Sequence, residues 1–240
     1  IVNGSKIWTT HAHFANRMFG LVRTRFEGKP QTGITFLLFD MKAPGISVRP
    51  IVTLAGEHEL NAVFFDNVRV PKANRLGEEN DGWTVAKYLL EFERGGQYSP
   101  ALKVKLQHLR QIACDILSPD EGFWARLAAT EMAVEAMEIT ELRVMTTLAS
   151  GGNPGPMSSM LKTQGTETMQ RVEELAVEIA GQYGAVDQLG ARVPGSNLPP
   201  VGPDDMVESM ARYLNGRAAS IYGGSNEVQR GVIARLMLGL

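Results

Sequence analysis

A carboxylate and a pair of glycines stand together in the stretch EFERGG, residues 91–96. The run around them is predicted to be helical, and glycine inside a helix costs about 1 kcal/mol relative to alanine. Two explanations stay open: a kink or a packing requirement, or the close approach of a ligand to the backbone. Glu93 could act as a base, although a lone helical glutamate is most often a solvated surface residue.

A second glycine pair, Gly223 and Gly224, precedes the last helical run in the stretch IYGGSNEVQR, residues 221–230. The hydroxyl of Ser225 can cap a helix that begins at the next residue. A glycine turn at a helix start exposes backbone N–H groups and the positive end of the helix dipole, which suits a phosphate or an oxyanion. An ordinary capped helix start is the alternative.

A third stretch, KIWTTHAH at residues 6–13, places an aromatic ring and two hydroxyls at the end of a strand. Packing at the strand end is the ordinary explanation. His11 and His13 alternate as metal ligands can, but no third ligand, CxxC or HxxxH accompanies them, so we predict no metal site. The absence of GxSxG, GxxxxGK[ST] and GxGxxG argues against a nucleophile elbow, a P-loop and a Rossmann fold.

Charge and composition exclude several classes of partner. The 24 basic and 26 acidic residues nearly cancel and are interspersed, so we expect neither nucleic-acid nor membrane binding. A single cysteine, Cys114, fits a reducing compartment, and no membrane span or signal peptide is evident. We therefore expect a cytoplasmic protein. The chain opens with Ile1 and Val2 before a hairpin signal, Asn3-Gly4, so we expect further residues to precede it.

The elements that must position these residues change type near Asn80. Before it, the pattern predicts antiparallel strands separated by turn residues, in part of a barrel or a sandwich. These strands are RMFGLVRTR (17–25), GITFLLFD (33–40), GISVRPIV (45–52) and ELNAVFFDNV (59–68).

After Asp81, apolar residues recur every three or four positions, which predicts helices. The run from Trp124 to Ala149 is apolar on two faces and should lie inside a bundle. Other helices are expected at 157–180, 81–117, 204–219 and 226–238, with a Pro- and Gly-rich loop at 193–203. The prediction is an α+β fold with a β domain at 1–80 and an antiparallel helical bundle at 81–240.

Four segments in this order resemble the acyl-CoA dehydrogenase family: NGSKIWTT, FFDNVRVPKANRLGEENDGW, FERG and IYGGSNEVQRGVIARLMLGL. The resemblance implies the later strands of an antiparallel β-barrel followed by a C-terminal helical bundle. It also implies that the family's N-terminal helical domain and first barrel strands are absent from this sequence.

The resemblance implies FAD-dependent α,β-desaturation of an acyl-CoA thioester. A glutamate would remove the α-proton, hydride would pass to flavin N5, and an electron-transfer flavoprotein would reoxidise the cofactor. A homodimer or homotetramer is expected.

Residue roles follow from the same resemblance. Many members carry the catalytic glutamate where this chain has Gly223. A minority, resembling the long-chain and isovaleryl enzymes, carry it where this chain has Glu93. The resemblance assigns Glu93 as the base and implies substrate contacts at Glu91, Arg94, Gly223 and Gly224. It implies FAD contacts at Trp8, Thr9, Thr10, Ser225, Asn226 and Glu227.

Three features depart from the family pattern. An R-x-x-F-G motif is missing between Arg110 and Trp124, the loop at 193–203 interrupts the last connection, and Glu178 stands where a glutamine faces the FAD pyrophosphate. A negative charge there is unfavourable unless a cation or a proton compensates it. Two alternatives therefore stay open: a non-catalytic partner subunit of a heteromeric dehydrogenase, and an acyl-CoA oxidase.

Overall fold

Residues 1–93, 97–116 and 120–240 are described by a computed structural model, without the side chains of residues 91–93 and 116. The chain divides into two compact units, Ile1–Glu91 and Phe92–Leu240. The sequence-based division between residues 80 and 81 stays a prediction.

The first unit contains two three-stranded antiparallel sheets. One sheet has the order β1-β5-β4 and the other the order β2-β3-β6. The strands are β1 (Val2–Thr10), β2 (Arg17–Arg23), β3 (Ile34–Asp40), β4 (Ile46–Val52), β5 (His58–Val68) and β6 (Arg75–Leu76). Helix α1 (Gly82–Glu93) follows them. The sheet residues of the described chain form no closed barrel.

Alternation along β5 explains why this strand carries much of the first unit's core. Asn61, Val63 and Phe65 are buried at every second position, as expected when one face of a sheet is covered. Phe39 of β3 packs against Phe65, with their ring centroids 5.0 Å apart. The predicted strands at 17–25, 33–40, 45–52 and 59–68 are confirmed to within two residues.

Asn3 and Gly4 do not form a hairpin turn, contrary to the sequence-based expectation. Strand β1 runs through both residues, and its register against β5 shifts between Val2 and Gly4. The side chain of Asn3 accepts a hydrogen bond of 2.7 Å from the backbone N–H of Asn67. Pairing with β5 therefore places the Asn-Gly dipeptide in a β-bulge, which also accommodates the positive φ of Gly4.

The second unit is a helical bundle. Its helices are α2 (Ser99–Ile116), α3 (Glu121–Ala149), α4 (Met157–Ala180), α5 (Leu189–Arg192), α6 (Ser209–Gly216) and α7 (Asn226–Ile233). Short 3-10 turns lie at Gly181–Ala185, Asp204–Met206 and Arg217–Ser220, and a π-turn at Ala234–Leu238 follows α7. The predicted α4 is confirmed at both ends, and the predicted helix at 81–117 is described as α1 and α2. These observations confirm the α+β class.

The core of the bundle lies between α2, α3 and α4. Its fully buried side chains include Leu106, Phe123, Leu127, Met137, Leu161 and Val172. Only one of the two apolar faces predicted for α3 is covered in this structure, because Met132, Ile139 and Leu142 are exposed. The expectation that both faces are buried is therefore not met. Among the described residues, no helix has the length and apolarity of a membrane span.

Candidate functional site

The turn that precedes α7 is built from two glycines in the left-handed region. Gly223 has a φ of 66° and Gly224 a φ of 91°, values that other residues rarely adopt. A Cβ atom added to Gly223 would meet no atom within 4 Å, and the residue is exposed. The backbone conformation, rather than local crowding, requires glycine here, and the outer surface of the turn is open.

The start of α7 is capped as predicted. The hydroxyl of Ser225 accepts a hydrogen bond from the backbone N–H of Val228 at 3.4 Å. Hydrogen bonds from its own backbone N–H and from Ser225 hold the pKa of the exposed Glu227 carboxyl below its ordinary value. The helix start therefore stabilises negative charge, in agreement with the direction of the helix dipole.

Asn226 faces into the bundle rather than toward solvent. Its side-chain oxygen accepts a hydrogen bond of 2.8 Å from the ammonium of Lys162, and its amide donates to Glu167 at 3.2 Å. Thr166 lies 3.2 Å from the same amide. The side chain of Asn226 thus connects α7 to α4. The expected cofactor contact at this position stays a prediction.

The chain that follows EFERGG is held by a buried carboxylate of α3. Glu141 accepts hydrogen bonds from the backbone N–H of Tyr98 at 2.7 Å and of Ser99 at 3.2 Å, and from the Ser99 hydroxyl. Because the first N–H groups of a helix have no partner within the helix, Glu141 satisfies the start of α2 from a neighbouring element.

Tyr98 links this segment to the glycine turn. Its ring lies against Gly165 of α4, where any Cβ atom would overlap it. Burial raises the pKa of the Tyr98 phenol, and the neighbouring Tyr222 and Glu141 raise it further. Tyr222 directly precedes Gly223, so this electrostatic interaction reaches from Tyr98 to the chain before the glycine turn.

The residues expected to act on the substrate α-carbon fall largely outside the described part of the chain. Arg94 is not among the described residues, and the side chains of Glu91 and Glu93 are not described, although both residues belong to α1. Their roles stay predictions.

The expected flavin contacts of the first unit lie on a distorted part of β1. The register against β5 shifts between Lys6 and Thr9, and Trp8 has a φ of 62°, which is unusual for a bulky residue. The indole is 59% exposed. Thr9 is half-buried and Thr10 is exposed. The bulge therefore directs a large aromatic surface into solvent.

A buried asparagine, Asn61 of β5, holds this segment from behind. Its amide donates to the carbonyl of Thr9 at 3.0 Å and to Nδ1 of His13 at 3.0 Å, while its oxygen lies 2.8 Å from Nε2 of His58. The rings of His13 and His58 stack with centroids 4.0 Å apart. The histidines thus have a structural explanation, and the described residues contain no cluster of three metal-ligating side chains.

The charge of Glu178, one of the three departures from the family pattern, is compensated. Arg126 of α3 forms an ion pair with Glu178 of α4. Both side chains are partly exposed, so the pair lies at the surface of the bundle. The cation that the sequence-based argument required is therefore present.

Sequence reasoning missed four residues that hold these segments: Asn61, Tyr98, Glu141 and Lys162. Asn61 and Lys162 had a usable signal, because each is a polar residue at a position where the surrounding periodicity predicts burial. For none of the four could the sequence identify the partner, since each contacts a residue more than 40 positions away.

Comparison with known families agrees with these observations. The family model "Acyl-CoA dehydrogenase, C-terminal domain" matches residues 80–238, and the model "Acyl-CoA dehydrogenase, middle domain" matches residues 1–68. A curated relative, acyl-CoA dehydrogenase IpdE1 of Mycobacterium tuberculosis strain H37Rv, is 33% identical over 100% of this chain and 59% of its own length.

Solved structures give the same result. The Tcur3481-Tcur3483 steroid ACAD G363A variant is 28% identical with a TM-score of 0.83, covering 99% of this chain and 60% of that one. The ChsE4-ChsE5 complex from Mycobacterium tuberculosis is 30% identical with a TM-score of 0.80, covering 100% and 61%. The chain spans about three fifths of the length of these proteins. It belongs to the acyl-CoA dehydrogenase family.

Proposed function

We propose that the protein catalyses FAD-dependent α,β-desaturation of an acyl-CoA thioester, with Glu93 as the base that removes the α-proton. The observation that most supports this proposal is the open turn at Gly223, which has a φ of 66° and where an added Cβ atom would meet no atom within 4 Å. Gly223 therefore leaves space at the position where the resemblance places the catalytic glutamate of many family members. A carboxylate at one position and a glycine at the other are the paired substitutions expected if both face one substrate carbon.

The chemistry places clear demands on this part of the chain. The α-proton of a thioester is too weakly acidic for a carboxylate in water, so the site must stabilise the enolate oxygen and desolvate the base. The open space at Gly223 leaves room for the acyl chain. The positive end of α7 favours developing negative charge.

Each unit by itself contains residues whose chemistry suits part of a flavin cofactor. Trp8 offers an exposed aromatic face, and Thr9 and Thr10 offer hydroxyl and backbone groups beside it. Ser225 and Glu227 stand at the start of α7, where the adenine dinucleotide is expected. The ion pair with Arg126 compensates the charge of Glu178, the residue that the resemblance places near the pyrophosphate. When bound, FAD supplies the acceptor for the hydride that leaves the β-carbon.

We also propose that an electron-transfer flavoprotein reoxidises the flavin and that the protein assembles as two or four subunits. The alternative of a non-catalytic partner subunit stays open, because one similar structure is a complex of two different chains, ChsE4 and ChsE5. We propose that the acyl group of the substrate includes a bulky ring system, because another similar structure is described as a steroid ACAD.

Anaerobic reduction of the flavin tests the proposal. The full-length protein is mixed with acyl-CoA thioesters carrying straight, cyclic or steroid-derived acyl groups, and bleaching of the flavin absorbance is followed. We expect Glu93→Gln to abolish bleaching while the flavin content per subunit stays that of the wild type. Glu121→Gln is the matched control, because Glu121 is an exposed glutamate at the start of α3 that has no assigned role in the site.

The outcomes separate the alternatives. Unchanged bleaching in Glu93→Gln, or the same loss of bleaching in Glu121→Gln, contradicts the assignment of the base. A colourless protein that turns yellow only with a second polypeptide supports the partner-subunit alternative. Peroxide release under air supports an oxidase.

A further inference from the structure

Lys162 is a buried lysine in the middle of α4. The residue is only 3% exposed, and an ammonium group is costly to bury unless hydrogen bonds replace its water. Its Nζ donates to the backbone carbonyl of Ala219 at 3.0 Å and to the side-chain oxygen of Asn226 at 2.8 Å. None of the sequence motifs described above includes this lysine.

The two acceptors of Lys162 bracket the glycine turn. Ala219 lies in the 3-10 turn that follows α6, and Asn226 is the first residue of α7. We name the residues from 219 to 226 the glycine segment. Its middle residues, from Ile221 to Gly223, are exposed, whereas Ala219 and Asn226 are buried. One ammonium group therefore fixes both ends of a segment whose centre projects outward.

The groups around Lys162 make this restraint rigid. Helix α4 is anchored in the core by Leu161 and Val172, both fully buried. The amide of Asn226 donates to the carboxylate of Glu167 at 3.2 Å, and Glu167 also pairs with Arg230 of α7. These contacts also hold α7 against α4 on the C-terminal side of the lysine. The separation of the segment's ends is thus set by α4.

We infer that Lys162 is a positioning residue that holds the glycine segment in the conformation the substrate meets. Two hydrogen bonds from the buried helix α4 restrict the backbone on either side of Gly223 and Gly224. Without these hydrogen bonds the two glycines would sample other conformations, because glycine has no side chain to restrict its backbone dihedral angles. The effect on catalysis rests on the proposed function, whereas the restraint on the backbone does not.

Hydrogen exchange of backbone amides tests the restraint directly. We expect Lys162→Met to raise the exchange rate of the backbone amides at residues 220–226 by about tenfold. The reason is that loss of a charge-assisted hydrogen bond makes local opening of this segment more favourable. Lys105→Met is the matched control. It removes a lysine of α2 that pairs with Glu173, also on α4, and should leave exchange in the glycine segment unchanged.

A second variant keeps the test decisive if Lys162→Met does not fold. Asn226→Ala keeps the lysine and removes one of its two acceptors, and we expect raised exchange confined to the same residues. Unchanged exchange in the glycine segment in every folded variant overturns the inference. An equal rise in Lys105→Met also overturns it, because the effect would then be general loosening of α4.

The catalytic consequence has its own measurement. With a substrate that bleaches the wild-type flavin, we expect Lys162→Met to lower the limiting rate of bleaching by about tenfold at unchanged flavin content, with a smaller change in KM. A changed KM with an unchanged limiting rate contradicts this role. If no thioester bleaches the wild type, the proposed function fails, while the exchange experiment still decides the restraint.

Discussion

At the scale of single residues, Tyr98 shows how a buried polar group couples stability to pH. Its backbone N–H is held by Glu141 at 2.7 Å, and its ring lies in the bundle against Gly165. Burial, followed by the nearby Tyr222 and Glu141, raises the pKa of the phenol above its ordinary value of 10.0. The folded bundle therefore favours the neutral phenol. In the unfolded chain the same phenol ionises at a lower pH.

The sign of the resulting pH dependence follows from linkage. A raised pKa in the folded state gives stability that is complete below pH about 10 and is lost as the pH rises through the folded-state pKa. Tyr98→Phe has no ionisable phenol, so we expect its unfolding midpoint in urea to fall less steeply than that of the wild type between pH about 9 and about 11. Parallel curves for the two proteins would contradict the assignment.

At the scale of elements, the approach of the chain after EFERGG to α4 depends on one glycine. Gly165 is buried in the middle of α4, and a Cβ atom there would overlap the Tyr98 ring. Gly216, at the end of α6, is different: its Cβ would lie 3.7 Å from Cγ of Glu173, an ordinary contact. The two helical glycines therefore predict opposite responses to the same substitution.

Gly165→Ala should lower the free energy of unfolding by about 1–3 kcal/mol, because the core must shift to admit the methyl group. Gly216→Ala should raise it by up to about 1 kcal/mol through helix propensity. Urea denaturation of both variants measures the difference. If Gly165→Ala is as stable as Gly216→Ala, Tyr98 does not pack on α4 as described.

Elements whose signals are local could be predicted from sequence. The apolar period of α4 and the Pro and Gly residues that flank it define Met157–Ala180, and Ser225 marks the start of α7. The bulge at Trp8 could not be predicted, because it depends on the register between β1 and a strand some 50 residues away. The contacts of Lys162 with the glycine segment span about 60 residues and have no local pattern.

The residues of the candidate site also fall into those that could be predicted from sequence and those that could not. Motif order and spacing gave the family, and the capping role of Ser225 follows from residue type. The side chain of Asn226 could be assigned to the interior only when the position of Lys162 was known. Positioning residues are therefore harder to predict than motif residues, since their effect depends on tertiary contacts rather than on spacing.

At the scale of the whole molecule, the uncovered face of α3 is the candidate contact surface of the proposed oligomer. We define the outer α3 surface by Met132, Ile139 and Leu142, which are all exposed. Their spacing of seven and three residues places them on one side of the helix, opposite the buried Val134 and Met137. Exposed apolar surfaces of this kind mark contacts between proteins.

We therefore expect the proposed oligomer to depend on this surface. Ile139→Glu places a charge at a residue that is 59% exposed, so it should leave the bundle folded and lower the molar mass measured by light scattering after gel filtration. Val104→Glu is the control, since Val104 is an exposed apolar residue of α2 away from the outer α3 surface. A wild-type mass in Ile139→Glu, or the same loss of mass in Val104→Glu, would exclude the outer α3 surface as the specific contact between subunits.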